Sequence, residues 1–507
     1  MCRGKMNRAL IIGCVVLAWS TAAPCQNTFM VSMDAVQQGY GGSGRSVEQV
    51  PGGFLVFGHQ NSDDGTGRNR CTIYKLDATG TYQSRIELGT NDAYHSNFGL
   101  FDPICRLDSE YITLVQRFDW YSSILELRRF NESGEEEQAH QVLELDPADS
   151  MIIGTRQLRA TVDGGYVFCG FVDPPDAYAR AWLVKLDSAG AIEWQQEYGH
   201  PDQSYEAVSV AQYPDGGYVL AGYRLPANLV NLGFLIRTDS AGNELWRKHF
   251  GNETGSWGAV RVASDGGIVT FSSYAEQSWP WYWSQHMLTK WNSAGSIVWQ
   301  THTSYGSAAI AFDLEVLPDQ SIITGGAVSW WAQLAKYSSE GDSLWARRFR
   351  PFEHAVDHLA YDVEPTSDGG FVLTGAASQS VGDPTPGLET IFVIKTDSFG
   401  CVVPGCQNVG VEEYVIDLQD HLHISPNPAS DLVNVLLELP EGGAVQGQAQ
   451  VQLLNASGRI VLAEKVQQNY NQLRATLDVS TLPAGTYYLH LRDGKRWLAG
   501  GKVVVQH

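Results

Sequence analysis

The residues best suited to chemistry in this sequence are tryptophan and tyrosine side chains that cluster in three short segments. Aspartates occur in other segments of the same kind. Aromatic rings stack on sugar rings and carboxylates bind sugar hydroxyl groups, so the combination suits carbohydrate binding. The alternative is that the aromatic side chains cover their own loops as small local cores. The aromatic candidates are Trp120, Tyr121, Trp279, Trp281, Trp283, Trp330 and Trp331, and the aspartates are Asp63, Asp64, Asp173, Asp176 and Asp383.

No catalytic signature accompanies these residues. The sequence has neither a His-Glu-x-x-His nor a Gly-x-Ser-x-Gly pattern, and it has no phosphate-binding glycine loop. His421 and His423 would share one strand face, but no third metal ligand accompanies them. We therefore predict no catalytic residue, no metal site and no cofactor. Scattered carboxylates could still form a glycosidase pair, because sequence spacing does not reveal such a pair.

One loop and one turn have compositions that resemble known ligand-binding motifs, but each also has a purely structural explanation. Residues 61–67 have the composition of a calcium loop without its full ligand spacing, so calcium binding and a solvated loop both stay open. Residues 264–267 loosely resemble the Asp-box of sialidases. The same Asp-Gly-Gly turn recurs elsewhere in the chain, which favours a structural role for it.

Two series of turns recur along the chain, and each has seven members. In the first series the glycine-to-glycine steps are 46 to 59 residues. Glycine supplies the positive φ that a tight hairpin requires. A repeat of about fifty residues, built from short apolar strands, predicts an all-β fold in which residues 26–406 form a seven-bladed β-propeller. The first series lies at 77–80, 131–134, 187–190, 239–242, 292–295, 338–341 and 397–400, and the second at 51–54, 108–111, 163–166, 215–218, 265–268, 319–322 and 368–371.

Each repeat is expected to supply four strands, a to d. In the fourth repeat they are predicted at 205–212, 217–222, 233–237 and 244–250. Residues 30–39 have the position of a d strand, so we predict that this N-terminal strand completes the last blade and closes the ring. The irregular b–c and d–a loops then share one face, where binding residues usually occur. The aromatic candidates fall in these loops.

In four repeats a tryptophan follows the turn glycine by four residues. This Asp-x-x-Gly-x-x-x-Trp unit resembles the docking motif of quinoprotein propellers, in which the tryptophan packs between neighbouring blades. The resemblance implies a packing role only, because no residues of a quinone site can be identified. The tryptophans are Trp194, Trp246, Trp299 and Trp345, and the remaining repeats have Ser84, Gln138 and Pro404 at this spacing.

The N-terminal residues have the pattern of a secretory signal peptide. Basic residues precede an apolar run at 9–19, and small residues follow. The run is too short to cross a bilayer, and no later segment approaches the ~20 apolar residues of a membrane helix. We expect a signal peptide at 1–25 and a mature chain without a transmembrane span, with a membrane anchor as the alternative.

The charge and the cysteines are consistent with export. A formal charge of −22 disfavours nucleic acid and anionic membranes as partners. Cys401 and Cys406 bracket a short turn and are predicted to form a disulfide in an oxidising compartment. Cys105 and Cys169 lie in strand patterns where buried thiols are expected, and the pairing of these two with Cys71 stays open.

The pattern changes after a linker at 407–420. Strand-like runs at 432–439, 450–454, 459–464, 473–477, 487–491 and 501–505 predict a small Ig-like β-sandwich at 421–507. The Pro-Asn-Pro run before Asp431, the turn at 455–459, the run at 482–489 and the terminal 501–505 resemble the type A sorting domain of the type IX secretion system of Bacteroidetes.

This resemblance implies that the type IX secretion machinery is a partner and that the protein is secreted or placed on the outer cell surface. Ordinary turn chemistry is the alternative explanation for each motif taken alone. The implied recognition positions are Pro426, Asn427, Pro428, Gly458, Arg459, Gly485, Tyr487 and Lys502.

Together these features predict an exported, non-catalytic binding or adhesion module for a glycan or a protein. An extracellular hydrolase or lyase that degrades polysaccharide is the alternative, and a purely structural role in the cell envelope stays open. A pair of carboxylates near the central channel would favour the enzyme, whereas an aromatic shelf without such a pair would favour binding.

Overall fold

The fold was obtained as a computed structural model. It describes residues 26–33, 42–61, 69–88, 94–96, 104–107, 109–118, 123–145, 151–225, 232–250, 258–274, 284–306, 309–352, 355–379, 389–403, 406, 414–416, 421–439, 449–455, 459–469, 472–493 and 496–507. These residues form 38 strands and no α-helix. The prediction of an all-β protein is confirmed. The predicted signal peptide lies outside the described residues, as does most of the predicted linker.

The first thirty strands belong to seven sheets. Five of these sheets consist entirely of strands that are consecutive in sequence, one adds the later strand β30 (Tyr414–Ile416), and one adds the N-terminal strand β1 (Phe29–Ser32). The strands are β1 (Phe29–Ser32), β2 (Gly42–Val50), β3 (Gly53–Asn61), β4 (Asn69–Asp77), β5 (Tyr82–Leu88), β6 (Tyr94–Ser96), β7 (Ile104–Leu107), β8 (Glu110–Phe118), β9 (Ser123–Phe130), β10 (Glu136–Leu145), β11 (Ile152–Ala160), β12 (Tyr166–Asp173), β13 (Arg180–Leu186), β14 (Ile192–Tyr198), β15 (Ser204–Gln212), β16 (Tyr218–Leu225), β17 (Leu232–Thr238), β18 (Glu244–Phe250), β19 (Gly258–Val262), β20 (Ile268–Tyr274), β21 (Ser284–Trp291), β22 (Ile297–Gly306), β23 (Ile310–Val316), β24 (Ile322–Val328), β25 (Trp331–Tyr337), β26 (Ser343–Arg350), β27 (Ala355–Pro365), β28 (Phe371–Gln379), β29 (Glu389–Thr396) and β30 (Tyr414–Ile416).

We number the sheets in chain order. Sheet 1 is β2–β5, sheet 2 is β6–β10, sheet 3 is β11–β14, sheet 4 is β15–β18, sheet 5 is β19–β22, sheet 6 is β23–β26 with β30, and sheet 7 is β27–β29 with β1. The first strands of sheets 3 to 7 contact one another in order, β27 of sheet 7 contacts β2 of sheet 1, and β7 of sheet 2 contacts β11 of sheet 3. These strands therefore form the inner wall, and the outer edges of sheets 1 to 7 are β5, β10, β14, β18, β22, β30 and β1.

The two turn series hold these sheets by the same local bonds in repeat after repeat. In the third repeat, Asp187 Oδ1 accepts hydrogen bonds from the amides of Ala189 at 2.8 Å and Ala191 at 2.9 Å. Gly190 completes this turn with a φ of 95°. Because a side-chain oxygen binds the amides that the turn releases from the ladder, Asp or Asn at the first position specifies the turn.

The aspartate that begins the turns of the second series also forms an ion pair, which the sequence pattern did not predict. In sheets 3 to 7 it pairs with a lysine or arginine on the third strand of the same sheet. The pKa of Asp265 is lowered by its hydrogen bond to Lys290, which supports a structural role for the turn that resembles an Asp-box. The pairs are Asp163–Lys185 at 3.0 Å, Asp215–Arg237 at 2.6 Å, Asp265–Lys290 at 2.8 Å, Asp319–Lys336 at 3.9 Å and Asp368–Lys395 at 3.0 Å.

The seven turn glycines receive side chains from the outer strand of the preceding sheet. Trp246 packs on Gly295, and its indole Nε1 donates to the Ser293 carbonyl at 3.3 Å. Sheets 1 and 2 have no tryptophan at the docking position. Ile86 and His140 make the contact instead, two residues after Ser84 and Gln138, which occupy the positions equivalent to the tryptophans. The pairs in chain order are Phe29–Gly80, Ile86–Gly134, His140–Gly190, Trp194–Gly242, Trp246–Gly295, Trp299–Gly341 and Trp345–Gly400.

The N-terminal strand joins the beginning of the chain to the end of the repeats. Strand β1 pairs with β29 in antiparallel register, with Phe29 opposite Lys395 and Ser32 opposite Phe392. Gln26 extends the attachment, since its side-chain amide donates to the Asp368 carbonyl at 2.7 Å. Sheet 7 is therefore built from both ends of this region.

The remaining strands form two four-stranded sheets around one apolar core. Strand β30 pairs in parallel with β26, so this short segment adds to the outer edge of sheet 6. Cys401 and Cys406, near the end of the repeats, form a disulfide with their Cα atoms 5.6 Å apart.

The strands of the two C-terminal sheets are β31 (Leu422–Ser425), β32 (Leu432–Glu438), β33 (Ala449–Leu454), β34 (Ile460–Lys465), β35 (Gln467–Asn469), β36 (Gln472–Asp478), β37 (Gly485–Asp493) and β38 (Arg496–Val505).

Candidate binding site in the central channel

A β-bulge interrupts the inner strand of sheets 1, 3, 4, 6 and 7 at the same place. A bulge frees a backbone amide from the ladder and redirects the neighbouring side chain. Side chains of the preceding sheet bind the amides on this inner wall. The bonds are Gln157 to Val210 at 2.8 Å, Ser209 to Val260 at 3.0 Å, Asp313 to Val363 at 3.3 Å and Asp362 to Val47 at 2.7 Å.

The bulged residues of three sheets meet in the middle of the ring. Val208 of sheet 4, Phe312 of sheet 6 and Tyr361 of sheet 7 belong to one buried cluster. The Phe312 and Tyr361 rings pack edge to face with centroids 4.7 Å apart. The bulged residue of sheet 1, Arg45, lies over the Tyr361 ring at 4.0 Å. The bulged residues of sheets 1, 4, 6 and 7 therefore pack together on the inner side of the ring.

A polar cavity of about 520 Å³ lies at the ends of the inner strands that lead into the repeated turns. Two carboxylates, Glu48 and Glu364, and two guanidinium groups, Arg106 and Arg159, line it. Its other lining residues are Gln49, Ile104, Cys105, Ala160, Pro365 and Ser367. The cavity thus opens among sheets 1, 2, 3 and 7, on the face of the regular turns.

The cavity borders a network of partly buried ion pairs. Arg159 lies 3.5 Å from Glu315 of sheet 6, and Arg261 of sheet 5 lies 2.6 Å from the same carboxylate. Arg261 also binds Asp313 at 2.9 Å. Burial raises the pKa of Glu315 to about 7, and Arg159 opposes that rise. The network fixes Arg159 because its partner is itself held from the neighbouring sheet.

The charged residues occupy equivalent positions in the repeats. In sheets 3 to 7, Arg159, Ala211, Arg261, Glu315 and Glu364 each precede the turn aspartate by four residues, and Glu48 and Arg106 stand near the same place in sheets 1 and 2. The three glutamates therefore come from the successive sheets 6, 7 and 1. The arginines come from sheets 2, 3 and 5. These residues were not predicted from the sequence, although charged side chains at one repeated position of an inner strand were a usable signal.

Of the seven predicted aromatic residues, the structure describes Trp330 and Trp331. Trp330 lies in a two-residue turn between β24 and β25, where Ser329 and Trp330 have φ values of 52° and 66°. Its side chain is 40% exposed, and its carbonyl accepts a hydrogen bond from the His358 amide at 2.8 Å. Trp331 begins β25, and the Arg350 guanidinium lies 5.6 Å from its ring centroid. This segment is a tight hairpin turn and not an extended irregular loop.

Most other members of that predicted site lie outside the described residues. They are Trp120, Tyr121, Trp279, Trp281 and Trp283, together with Asp63, Asp64 and Asp383. Asp173 ends β12 in sheet 3 and Asp176 follows it on the surface, so both lie on a different sheet from Trp330. Most of the calcium-like loop at 61–67 is also outside the described residues. Within the described ranges, no three His, Cys, Asp or Glu side chains are grouped as they would be to hold a metal ion.

The predicted sorting residues gather at one end of the two C-terminal sheets. The Asn427 amide Nδ2 donates to the Lys502 carbonyl at 2.7 Å, and the Val504 amide donates to Asn427 Oδ1 at 2.8 Å. These bonds attach the segment containing Pro426 and Pro428 to β38.

The other sorting motifs lie at the same end. Tyr488 of β37 is paired with Lys502 on one side and with Leu454 on the other. Gly485 and Tyr487 are on β37, and Asn455, which follows Leu454, accepts a hydrogen bond from the Arg459 amide at 3.0 Å through its side-chain Oδ1. Gly458 lies outside the described residues. The Tyr487 hydroxyl donates to the Pro483 carbonyl at 2.7 Å, which fixes the turn before β37.

Residues 423–506 match the family described as the secretion system C-terminal sorting domain. The chain therefore carries a type IX sorting domain, is handled by the type IX secretion machinery, and is exported to the cell surface or the medium. No curated protein matches the chain. None of the described residues forms an apolar helix of bilayer-spanning length.

Several solved structures are similar to the chain at low identity. An ulvan lyase bound to a glucuronate–rhamnose sulfate unit is 9% identical, with a TM-score of 0.46 over 72% of this chain and 97% of that chain. An α-L-arabinanase from Penicillium chrysogenum is 12% identical, with a TM-score of 0.39 over 73% and 98%. Prolyl oligopeptidase B from Galerina marginata is 12% identical, with a TM-score of 0.37, and the match spans 66% of this chain but only 46% of that one.

Proposed function

We propose that this chain is an exported seven-bladed β-propeller that binds a glycan or protein ligand without transforming it. The seven sheets would be the blades, with β1 as the outer strand of the seventh. Residues 1–25 would be a signal peptide removed before Gln26, and the two C-terminal sheets would be an Ig-like sandwich. The pairing of β1 with β29 and the docking of Phe29 on Gly80 support the closed ring. The sorting domain supports a Bacteroidetes cell as the source.

The cavity at the turn face is the proposed ligand site. Its volume of about 520 Å³ falls in the range of small-molecule pockets. The single observation that carries the proposal is the set of four charged side chains, one from each of four sheets, that face one cavity.

The experiment is a binding screen of the full chain against soluble glycans and peptides, followed by a variant that fills the cavity. Ala160→Trp places an indole among the lining residues, and Ala191→Trp adds the same group at an exposed turn. We expect Ala160→Trp to weaken a discovered ligand by about 100-fold, whereas Ala191→Trp leaves it unchanged. If a ligand binds the Ala160→Trp variant with unchanged affinity but does not bind the Trp330→Ala variant, the binding site lies on the face of the irregular loops instead.

One observation favours a second function, an extracellular hydrolase or lyase acting on polysaccharide. Glu48 and Glu364 line the same cavity, and glycoside hydrolysis uses a pair of carboxyl groups. If the chain depolymerises a polysaccharide, Glu48→Gln and Glu364→Gln should each lower the rate by about 100-fold or more. The absence of depolymerisation across a panel of acidic and neutral polysaccharides would dismiss this function.

A further inference from the structure

Sheet 4 carries a group of basic side chains at the end where its strands meet the irregular loops. Arg224 lies near the end of β16, His249 lies near the end of β18, and His200 is in the loop that enters β15. Tyr205, at the start of β15, is opposite Arg224 in the ladder, and its hydroxyl is hydrogen-bonded to His249 Nε2 at 3.0 Å. The cavity described above lies on the other face, among the regular turns.

Two arginines of sheet 4 fix the loop at 199–203 against the sheet. Arg247 Nη1 donates to the Gly199 carbonyl at 3.1 Å, and Arg224 Nη1 donates to Gln203 Oε1 at 2.7 Å. The loop is therefore bonded near both of its ends, and His200 is held beside β16 and β18.

The charge of Arg224 is not balanced by a carboxylate among the residues that the structure describes. Its hydrogen bond there is to the neutral amide of Gln203, whereas Arg247 forms an ion pair with Glu244 at 2.7 Å. Arg224 therefore keeps N–H donors, and its full positive charge, for a ligand.

The two histidines also have donors that their own bonds leave over. His200 Nδ1 accepts a hydrogen bond from the Asp202 amide at 3.3 Å, so the proton of the neutral ring is on Nε2. When the Tyr205 hydroxyl donates to His249 Nε2, the proton of that ring is on Nδ1. Both imidazoles are exposed, so each can donate this second N–H outside the protein.

The electrostatic field at this place is positive, in contrast to the formal charge of −22 for the whole chain. Partial burial lowers the pKa of His249, and the neighbouring charges of Arg224, Arg247 and His200 lower it further. Glu244 opposes this shift, but it is already bound by Arg247. The balance of charge around His249 therefore favours an anion.

We propose that this group is an oxyanion site that binds a sulfate or carboxylate group through Arg224, His200 and His249. A guanidinium group binds such an oxyanion through two N–H donors, and each imidazole adds one more. The site goes beyond the proposed function, because it lies on the opposite face from the cavity and does not depend on it. It gives the face of the irregular loops a position for the acidic group of a ligand.

The test follows the histidine resonances of the full chain by NMR during a pH titration. The salts are sodium sulfate, sodium glucuronate and sodium chloride at equal ionic strength, and His249→Gln assigns the resonance. An anion beside His249 favours the protonated ring, so we expect sulfate or glucuronate to raise the pKa of His249, with about tenfold tighter binding to the protonated form than to the neutral form. The larger response of the two identifies the preferred oxyanion. An identical His249 titration in all three salts would overturn the inference.

Arg224→Gln should abolish the response to sulfate and glucuronate. It should also raise the pKa of His249 in chloride, because a positive neighbour is removed. Arg85→Gln is the matched control, since this guanidinium is paired with Glu87 on sheet 1, and it should keep the response. A full response in Arg224→Gln would refute the site. If melting temperatures show that Arg224→Gln does not fold, His200→Gln, at an exposed residue, should weaken the bound anion by about fivefold.

A variant of the cavity separates this site from the proposed function. Ala160→Trp fills the cavity on the other face and should leave the response of His249 unchanged. Loss of the response in Ala160→Trp would place the anion in the cavity and overturn the inference. A binding screen that finds no ligand for the cavity would leave the oxyanion site standing.

Discussion

The ring of Phe29 lies against Gly80 so closely that a Cβ on this glycine would meet the ring carbons. Phe29 belongs to the N-terminal strand of sheet 7, whereas Gly80 is in the turn of sheet 1. The same contact is made by tryptophans between later sheets. The join between the two ends of the repeats is therefore packed like the internal joins.

Phe29→Ala should destabilise the repeat region by about 3 kcal/mol, because the side chain is 8% exposed and its removal leaves a void against Gly80 and Phe54. Thermal unfolding measures the loss. Ser32→Ala, on the same strand, is the control and should change stability little. Equal effects of the two substitutions would show that Phe29 does not close the ring.

Trp246→Ala should cost about 2 kcal/mol, less than removal of a fully buried tryptophan, because part of the indole stays exposed. The loss combines packing on Gly295 with the hydrogen bond to the Ser293 carbonyl. Denaturant titration gives the value. The adjacent Leu245 is 59% exposed, so Leu245→Ala should have almost no effect. A Leu245 variant as unstable as the Trp246 variant would contradict the docking role.

His286 should make stability depend on pH. Burial lowers its pKa from 6.5 to about 4, while its ring Nε2 is bonded to the Ala327 carbonyl at 3.1 Å. Between these two values the unfolded chain binds a proton that the folded chain does not, so stability falls as the pH drops from 6.5 to 4. The contribution of His286 to this fall is about 3 kcal/mol.

The measurement compares urea unfolding at pH 7.5 and 4.5 for wild type and His286→Gln. The variant should lose less stability than wild type over this interval, even if it is weaker at pH 7.5. His200→Gln, at an exposed histidine, should follow the wild-type profile. Parallel profiles for wild type and the His286 variant would refute the assignment.

Asn427→Ala should impair export. The substitution removes both hydrogen bonds that hold the Pro426–Pro428 segment to β38, and this would free one end of the gathered sorting motifs. We expect the exported fraction to fall by about tenfold, with intact chain accumulating in the periplasm. Cell fractionation with immunodetection measures both pools. Asn434→Ala also loses a side-chain hydrogen bond, to Thr476, but lies on the other sheet and should be exported normally.

Sequence patterning predicted the turns and the four docking tryptophans because each depends on a local residue type at a fixed spacing. It did not predict Ile86 and His140 as their counterparts, since the contact requires only a side chain that covers glycine, and these two lie at a shifted register. The charged residues of the cavity were not predicted for a related reason. A β-bulge reverses which residues face inward, and alternation alone gives no sign of it.

The aromatic loops were singled out because exposed tryptophan usually signals binding. The tight turn at Ser329 and Trp330 shows why composition is a weak guide there. Because both residues have positive φ values, this segment is a tight hairpin turn between two strands. The sequence around Trp330 had been interpreted as a longer, irregular loop.

Strand β1 finds its partner β29 across more than three hundred residues of intervening chain. During synthesis the earlier sheets can form in order, each on the one before it, but the first must wait with one flank bare until Lys395 has left the ribosome or the translocation pore. The seven sheets can therefore close on one another only when β29 is present, and any truncation before residue 396 should leave an open arc whose two exposed flanks invite aggregation.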